Sequence, residues 1–487
     1  MRLPVRFLIA VVLIAWLAPL QALAQSDLPD PRRMTFEPVS FNPPEPERVV
    51  LDNGLVVYLL EDHELPLVTI TATMRTGAWL DSADKVGLAG IAGATMRTGG
   101  TARMGAEEVD QELEQLAAGI SVGIGTESGS AMLDVLKKDI GRGLRIFADI
   151  LMTPAFDPTR VELAKLQAIE GIRRRQDQPQ SIAGREFAKL LYGPTHPFAR
   201  ESTVESITCI TRDDLVAFHT RTVHPNGIIL GVTGDFQATA MLALLRETFG
   251  SWQKGDVPEL VLPPVEAAAV QHGTSGPNGE RIVRFVGKST TQAHLRAGHL
   301  SLKENDPDYP ALSIVNDILG GSSFRSRLFN DVRTKQGLAY SVGSALRAGV
   351  HEQGVWLMRA ETKLASTKEA IGRLIANVER LQAQPVTDAE LGEAKEAFVN
   401  SFVFSFTSPS AIVSRLIGLE YDGLPKDFLQ QLRDKVVKLT KDDLLQAART
   451  HLHPDRLKIL AAGSADALPQ VLSGFGEVKE IKLPSEG

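Results

Sequence analysis

DDLVAFHTRTVHPNGIILGVTGD, from Asp213 to Asp235, returns near the end of the chain as DDLLQAARTHLHPDRLKILAAGS, from Asp442 to Ser464. Both stretches read as a helix, a His-Pro turn and a buried strand, and His224-Pro225 matches His453-Pro454 at an offset of 229. A second pair agrees. RTGAWLDSADKVGLAGIAGATMRTGG (Arg75–Gly100) parallels RAGHLSLKENDPDYPALSIVNDILGG (Arg296–Gly321), each a strand, a loop and a helix stopped at Gly-Gly, at an offset of 221. A period this long means two duplicated domains, because solenoid repeats run to only about 20–50 residues.

Between the copies, Lys254 to Glu280 carries Pro258, Pro263, Pro264, Pro277 and four glycines, a linker composition. The domains are therefore placed at 47–253 and 282–487, with a linker over 254–281. Within the first, VVLDNGLVVYLL (Val49–Leu60) predicts a hairpin turning at Asn53-Gly54, and Leu65–Gly77 predicts a strand. Helical patterns follow at Gly87–Arg97, Ala106–Ala117, Lys138–Leu151 and Pro158–Gln176. The second domain alternates likewise, with strands near Gln292–His299, Tyr340–Ala348 and Gly354–Glu361, and helices near Pro310–Leu319, Ser366–Gln384 and Asp388–Phe402. Each is expected to be α+β, a mostly antiparallel sheet with helices packed against it.

Composition narrows the function. Of 487 residues, 43% are hydrophobic and 23% charged, a globular balance. The single cysteine, Cys209, excludes a disulfide framework and a thiolate zinc cluster, and is read as a small buried packing residue. A net charge of −7 argues against nucleic acid as a partner. Residues 1–24 pair a basic start, Arg2 and Arg6, with an apolar run and Ala22-Leu23-Ala24, the pattern of a cleaved signal peptide. Residues 25–46 follow as a proline-rich, extended lead-in. No later stretch is long and apolar enough to span a bilayer. The chain is expected to be periplasmic, with no stable membrane span once the signal is removed.

Several motifs together carry a resemblance. The Asn53-Gly54 hairpin, RTGAWLDS, the helix opening Gly87-Leu88-Ala89, the MRTGGT stop and FAKLLYGPTHPFAR (Phe187–Arg200) resemble the pitrilysin/insulinase zinc metallopeptidases, in the right order over nearly all of the chain. The resemblance implies two clamshell halves. It also implies a His-x-x-Glu-His motif after Gly-Leu-Ala and a distal Glu on a second helix. Two imidazoles four residues apart share a helical face and grip one Zn²⁺, and the Glu serves as general base. Here the sequence reads GLAGIAGATM, so Gly90 and Ala94 stand at the histidine positions and Gly93 at the glutamate. Gly171 falls at the distal ligand, beside Glu170, which alone cannot hold zinc. The remaining histidines form no HExxH or HxxEH arrangement, and His219, His224, His294, His299, His451 and His453 read as surface or hydrogen-bonded side chains. No zinc or other cofactor is expected in this chain.

FRSRLFNDVRTKQGLAYSVGS (Phe324–Ser344) resembles the family segment whose Arg and Tyr reach across the chamber, here Arg333 and Tyr340. The resemblance implies that this pair binds the substrate backbone and stabilises an oxyanion. Some bacterial members divide the site between a zinc chain and an Arg/Tyr chain, and this sequence resembles the second. It implies the non-zinc subunit of a heterodimeric peptidase, with a zinc-bearing homologous subunit and a peptide substrate as partners. Two alternatives remain: a non-catalytic peptide-binding or scaffold protein of the same fold, and a self-standing peptidase with unusual ligands.

Overall fold

The computed structural model describes residues 44–265 and 281–484. The expected signal peptide, the lead-in as far as residue 43 and the linker over 266–280 lie outside the described residues.

The first half begins with β1 (Glu47–Val50) and β2 (Val56–Glu61), the expected antiparallel hairpin. Its connection is longer than a two-residue turn: the Leu51 and Leu55 backbones close it at 2.9 Å, and only Gly54 is left-handed, at φ 80°. Asn53 serves otherwise. Its buried amide donates to the carbonyls of Phe249 at 2.8 Å and Trp252 at 3.2 Å, tying the turn to the end of the half. There follow β3 (Leu67–Met74), α1 (Leu88–Thr98), α2 (Ala106–Leu116), β4 (Gly119–Ile124), β5 (Gly129–Leu136), α3 (Ile140–Met152) and α4 (Pro158–Arg174). Then come α5 (Pro179–Tyr192), α6 (Val204–Thr208), α7 (Arg212–Thr222), β6 (Ile228–Gly234) and α8 (Ala238–Phe249).

The second half runs β7 (Ile282–Gly287), β8 (Gln292–Leu300), α9 (Tyr309–Asn316), β9 (Ala339–Arg347), β10 (Val355–Lys363), α10 (Thr367–Ala383) and α11 (Asp388–Phe404). It closes with α12 (Pro409–Tyr421), α13 (Phe428–Lys438), α14 (Lys441–His451), β11 (Lys458–Gly463), α15 (Leu468–Leu472) and β12 (Glu477–Glu480). Two π-helical stretches, Asp317–Gly321 and Phe329–Lys335, flank the loop before β9. No described helix is long and apolar enough to cross a membrane.

Strand order repeats between the two halves. The sheets run β1-β2-β6-β3-β5-β4 and β12-β7-β11-β8-β10-β9, so five strands of each correspond in sequence rank. The sixth differs, because β1 lies antiparallel to β2 whereas β12 lies parallel to β7. The pairs β2–β6 and β7–β11 are also parallel, and the others antiparallel. The repeated DDL stretches open in the same way. Thr211 and Thr440 each accept from the N–H three residues on, while Asp214 and Asp443 accept from the Thr N–H, a reciprocal cap.

Each sheet buries one face under its own helices. β5 shows the pattern, with Ala131, Leu133 and Val135 inward and Ser130, Met132 and Asp134 outward. Part of the other face is covered from the opposite half. α5 sets Ile182, Phe187, Leu190 and Leu191 against Val286, Leu460 and Ala462 of the second sheet. α12 sets Ile412, Val413 and Ile417 against Tyr58, Leu60 and Ile229 of the first.

The exchange is locked at its ends. Arg48 donates twice to Glu420, at 2.8 and 2.6 Å, and Tyr58 donates to the same carboxylate. Tyr421 donates to the Glu127 carbonyl at 2.9 Å beneath the Arg75 guanidinium. On the other side Lys458 donates to the Leu190 carbonyl, and burial pulls its ammonium down to about 8.

At the contact on the first sheet, Gly231 leaves room for no side chain: a Cβ there would stand 2.5 Å from Val413 Cγ1 and 2.8 Å from Ile417 Cδ1. Gly231→Val is therefore expected to cost about 1–3 kcal/mol, the usual cost of overpacking. A shift of the urea midpoint measures it, and an unchanged midpoint would mean that α12 does not seat on this strand.

Candidate functional site

α1 carries Gly90, Gly93 and Ala94, and its start is built by Asp81 and Arg200, from two of the segments that carry the resemblance. Asp81 is buried and accepts from the N–H groups of Gly87 at 2.9 Å and Ala89 at 3.0 Å, in the manner of an N-terminal cap. Burial pushes its carboxyl up, while those N–H donors oppose the rise. The Arg200 guanidinium donates to the Asp81 carbonyl at 2.9 Å and to the Ala78 carbonyl. RTGAWLDS and the Phe-Ala-Arg segment are thus joined as scaffolding for α1.

At the motif positions the helix they hold presents no metal-ligating side chain. Gly90 and Ala94 are exposed on α1, and Gly171 is exposed on α4. Added Cβ atoms at Gly90 and Gly171 meet nothing within 4 Å. Gly93 differs, being buried against β4, where a Cβ would lie 2.6 Å from the Ile124 backbone nitrogen. The glutamate position is therefore closed sterically as well as chemically. Beside Gly171 a cavity of about 380 Å³ is lined by Leu166, Gln167, Glu170 and Arg174. Its one carboxylate, Glu170, is paired with Arg173 at 2.6 Å. These residues do not fit a zinc ion.

The other donors fit local roles. His219 Nε2 meets the Leu151 carbonyl at 2.8 Å, His224 Nε2 the Arg221 carbonyl at 3.2 Å, and His299 Nδ1 the Leu300 carbonyl at 2.7 Å. His453 donates its backbone N–H to His299 Nε2 at 3.2 Å, and His294 lies 3.7 Å from Glu361. Among the described residues, Asp306, Asp308 and His451 are the group close enough to share a cation. They sit at the start of α9 and the end of α14, not on α1 or α4, and His451 already pairs with Asp308 at 2.8 Å. Cys209 corrects an expectation: it is exposed just after α6, because that short helix buries Ser206 and Ile207 instead.

Arg333 and Tyr340 are brought together. Arg333 lies on the π-helical stretch Phe329–Lys335, with its guanidinium carbon 4.8 Å from the Phe329 ring centroid and 5.3 Å from that of Tyr340. The Tyr340 side chain is delivered by a defect in the sheet edge. β10 pairs Glu361 with Ser341 and Thr362 with Ala339, so Tyr340 is the extra residue of a bulge, and it is 78% exposed.

Two anchors missed in the sequence hold this segment. Asp331 accepts from Arg373 at 3.1 Å, Asn377 at 2.8 Å and Arg380 at 3.3 Å, pinning the Arg333 turn to α10. Arg327 donates to both oxygens of Glu390, at 2.7 and 3.0 Å, pinning its start to α11. The Arg327 hydrogen bonds hold the Glu390 carboxyl at about 2, against their cost in burial. No spacing marks these anchors, since their partners lie 42 to 63 residues away.

Residues 210–398 match the family described as the peptidase M16 inactive domain. An uncharacterized zinc protease of Mycobacterium tuberculosis is 26% identical over 455 residues, covering 91% of this chain and 99% of that protein. A Helicobacter pylori protein named as a non-peptidase homolog is 26% identical over 396 residues, covering 80% of this chain and 88% of its own length. The solved peptidase M16 inactive domain from Pseudomonas fluorescens superposes with a TM-score of 0.76 at 25% identity, covering 86% of this chain and 98% of that one.

Two outcomes are expected. Gly93→Ala should cost about 1–3 kcal/mol by pressing on β4, while Gly90→Ala and Gly171→Ala should be neutral or gain up to about 1 kcal/mol in helix propensity. Urea unfolding separates them, and a harmless Gly93→Ala would show that the helix can move off the strand. For pH, the Glu390 carboxyl is lower in the fold than its ordinary 4.5. Its contribution is therefore complete above that value and is lost as pH falls toward 2. Wild type should lose more stability across that window than Glu390→Gln, and equal acid limbs in unfolding would contradict the bridge.

Proposed function

For a chain with the M16 peptidase fold, whose residues 210–398 match that family's inactive domain, we propose the role of the non-zinc subunit of a two-chain periplasmic peptidase. Arg333 and Tyr340 then complete the active site of a zinc-bearing homologous subunit, and the peptide is held between the two chains. One observation carries this reading: positions 90, 93, 94 and 171 carry no ligand, while Tyr340 stands outward on a bulged sheet edge with Arg333 of the preceding π-helical stretch stacked on its ring.

The chemistry follows from what the pair can donate. Peptide hydrolysis develops negative charge on the carbonyl oxygen, and a fixed phenol and guanidinium lower its energy without reorganising. The metal, held by the partner, would supply the activated water. In this chain Tyr340 would donate its O–H to the developing oxyanion, and Arg333 would grip a backbone carbonyl of the substrate. Anchoring through Asp331 and Arg327 keeps that donor pair in place, which is the preorganisation such a role requires.

A second reading draws on one relative. The Helicobacter pylori protein is named as a non-peptidase homolog, which favours a peptide-binding or assembly module with no share in catalysis. The two readings separate at Tyr340. Tyr340→Phe should lower kcat of the reconstituted complex about 100-fold or more, in the range for loss of an oxyanion donor. KM and co-elution of the subunits should change little. Undiminished turnover would reject the catalytic role and leave the binding module.

A further inference from the structure

The face of the second sheet that looks toward α5 carries an unexpected charge pattern. Along β8 and β10 the antiparallel register sets Arg296 directly opposite Arg359, with His294 opposite Glu361 next to them. Like charges opposite one another on paired strands repel, and a chain of net charge −7 has many other residues to place there. With Arg347 of β9, the two arginines line a cavity of about 590 Å³ whose apolar wall is Phe187, Leu191 and Tyr192.

None of the three arginines has an ion-pair partner among the described residues, and the one bond that Arg296 makes is to the Leu295 carbonyl at 3.0 Å. Burial first, and Arg359 second, pull the Arg296 guanidinium below its ordinary value, with Glu361 opposing. Two carboxylates, Glu127 and Glu352, also line the cavity. Glu352 accepts from the Gln353 N–H at 2.7 Å. Burial pushes the Glu127 carboxyl up, favouring its neutral form, with His351 opposing and Asp422 reinforcing the rise. Among the described residues, the Arg347 and Arg359 guanidiniums have no hydrogen-bond partner, and that of Arg296 has only the Leu295 carbonyl.

We propose that this cavity is a carboxylate-binding site, and that it selects peptides by an acidic group lodged between Arg296 and Arg359. A carboxylate accepts two parallel N–H bonds from a guanidinium, and an anion between two guanidiniums turns their repulsion into attraction. The wall formed by Phe187, Leu191 and Tyr192 would take the apolar side chains beside it. The carboxylate can come from a peptide C-terminus or from an Asp or Glu side chain. The site lies apart from Arg333 and Tyr340, and its assignment to peptides rests on the peptide-binding reading above.

Rhodamine-labelled peptides of one neutral sequence test it by anisotropy with the full mature chain: amidated, with a free C-terminus, and amidated with added Glu residues. At least one carboxylate-bearing probe should bind about tenfold tighter than the amidated neutral one, the worth of a charge-assisted pair. Arg296→Gln and Arg359→Gln should erase that preference while leaving the neutral probe within about twofold of wild type. Both variants should melt at or above the wild-type temperature, since repulsion is relieved, so a lost preference cannot be ascribed to misfolding. Whether the free C-terminus or the Glu probe gains distinguishes the two sources, and either supports the site. Equal binding of all probes overturns the site and leaves the peptide-binding reading standing. Binding of none overturns that reading, and the site with it.

Discussion

Each half of the chain is closed by a helix of the other, α5 over the second sheet and α12 over the first. Without this exchange each sheet would leave an apolar strip open, Val286, Leu460 and Ala462 on one and Tyr58, Leu60 and Ile229 on the other. Covering each strip with a helix of the opposite half fixes the two halves against one another. Because apolar burial has no direction, the orientation is set by the polar locks at the helix ends, chiefly Arg48 and Tyr58 on Glu420. The 590 Å³ cavity exists because α5 lies over β8 and β11 and leaves the arginines of β8, β9 and β10 uncovered.

The start of α1 is held independently of the residue types at positions 90, 93 and 94. Asp81, Arg200 and the glycine turn before α1 hold the helix in place, and they act through backbone groups that any sequence supplies. Nothing in the scaffold needs a histidine at 90 or 94. Gly93 goes further, since its missing side chain lets α1 lie against β4. The segment bearing Arg333 and Tyr340 is held the other way, by specific charged pairs: Asp331 to α10 and Arg327 to Glu390.

Much of the fold was legible in the sequence because the duplicated stretches carry their own capping and turn signals. Thr211 and Thr440 start two helices, and the Gly-Gly pairs end two other helical segments. The helices at 106–116, 158–174, 367–383 and 388–404 fall close to their expected bounds, since their apolar spacing is strong. β4, β5, α12 and α13 were not foreseen. β5 was readable in principle from the alternation of GSAMLDVL, whereas the partner of α12 was not, because an apolar helical face says nothing about which sheet it covers. The hairpin was foreseen but its turn was not, since Asn53 is spent on Phe249 and Trp252. At the site, the proximity of Arg333 and Tyr340 depends on a bulge, a register defect that no residue type announces. The facing arginines were likewise hidden, because cross-strand register is a property of the folded pair.

In the proposed two-chain role this chain would bind no zinc and would supply the complementary half of a partner's site. The most direct test of that role is to measure zinc content and peptide hydrolysis for the isolated chain, for a zinc-bearing homologue from the same source, and for the two mixed in equal amounts. In that role the isolated chain carries no stoichiometric zinc, and hydrolysis rises to a plateau at one-to-one mixing. Stoichiometric zinc with chelator-sensitive hydrolysis by the isolated chain would contradict it.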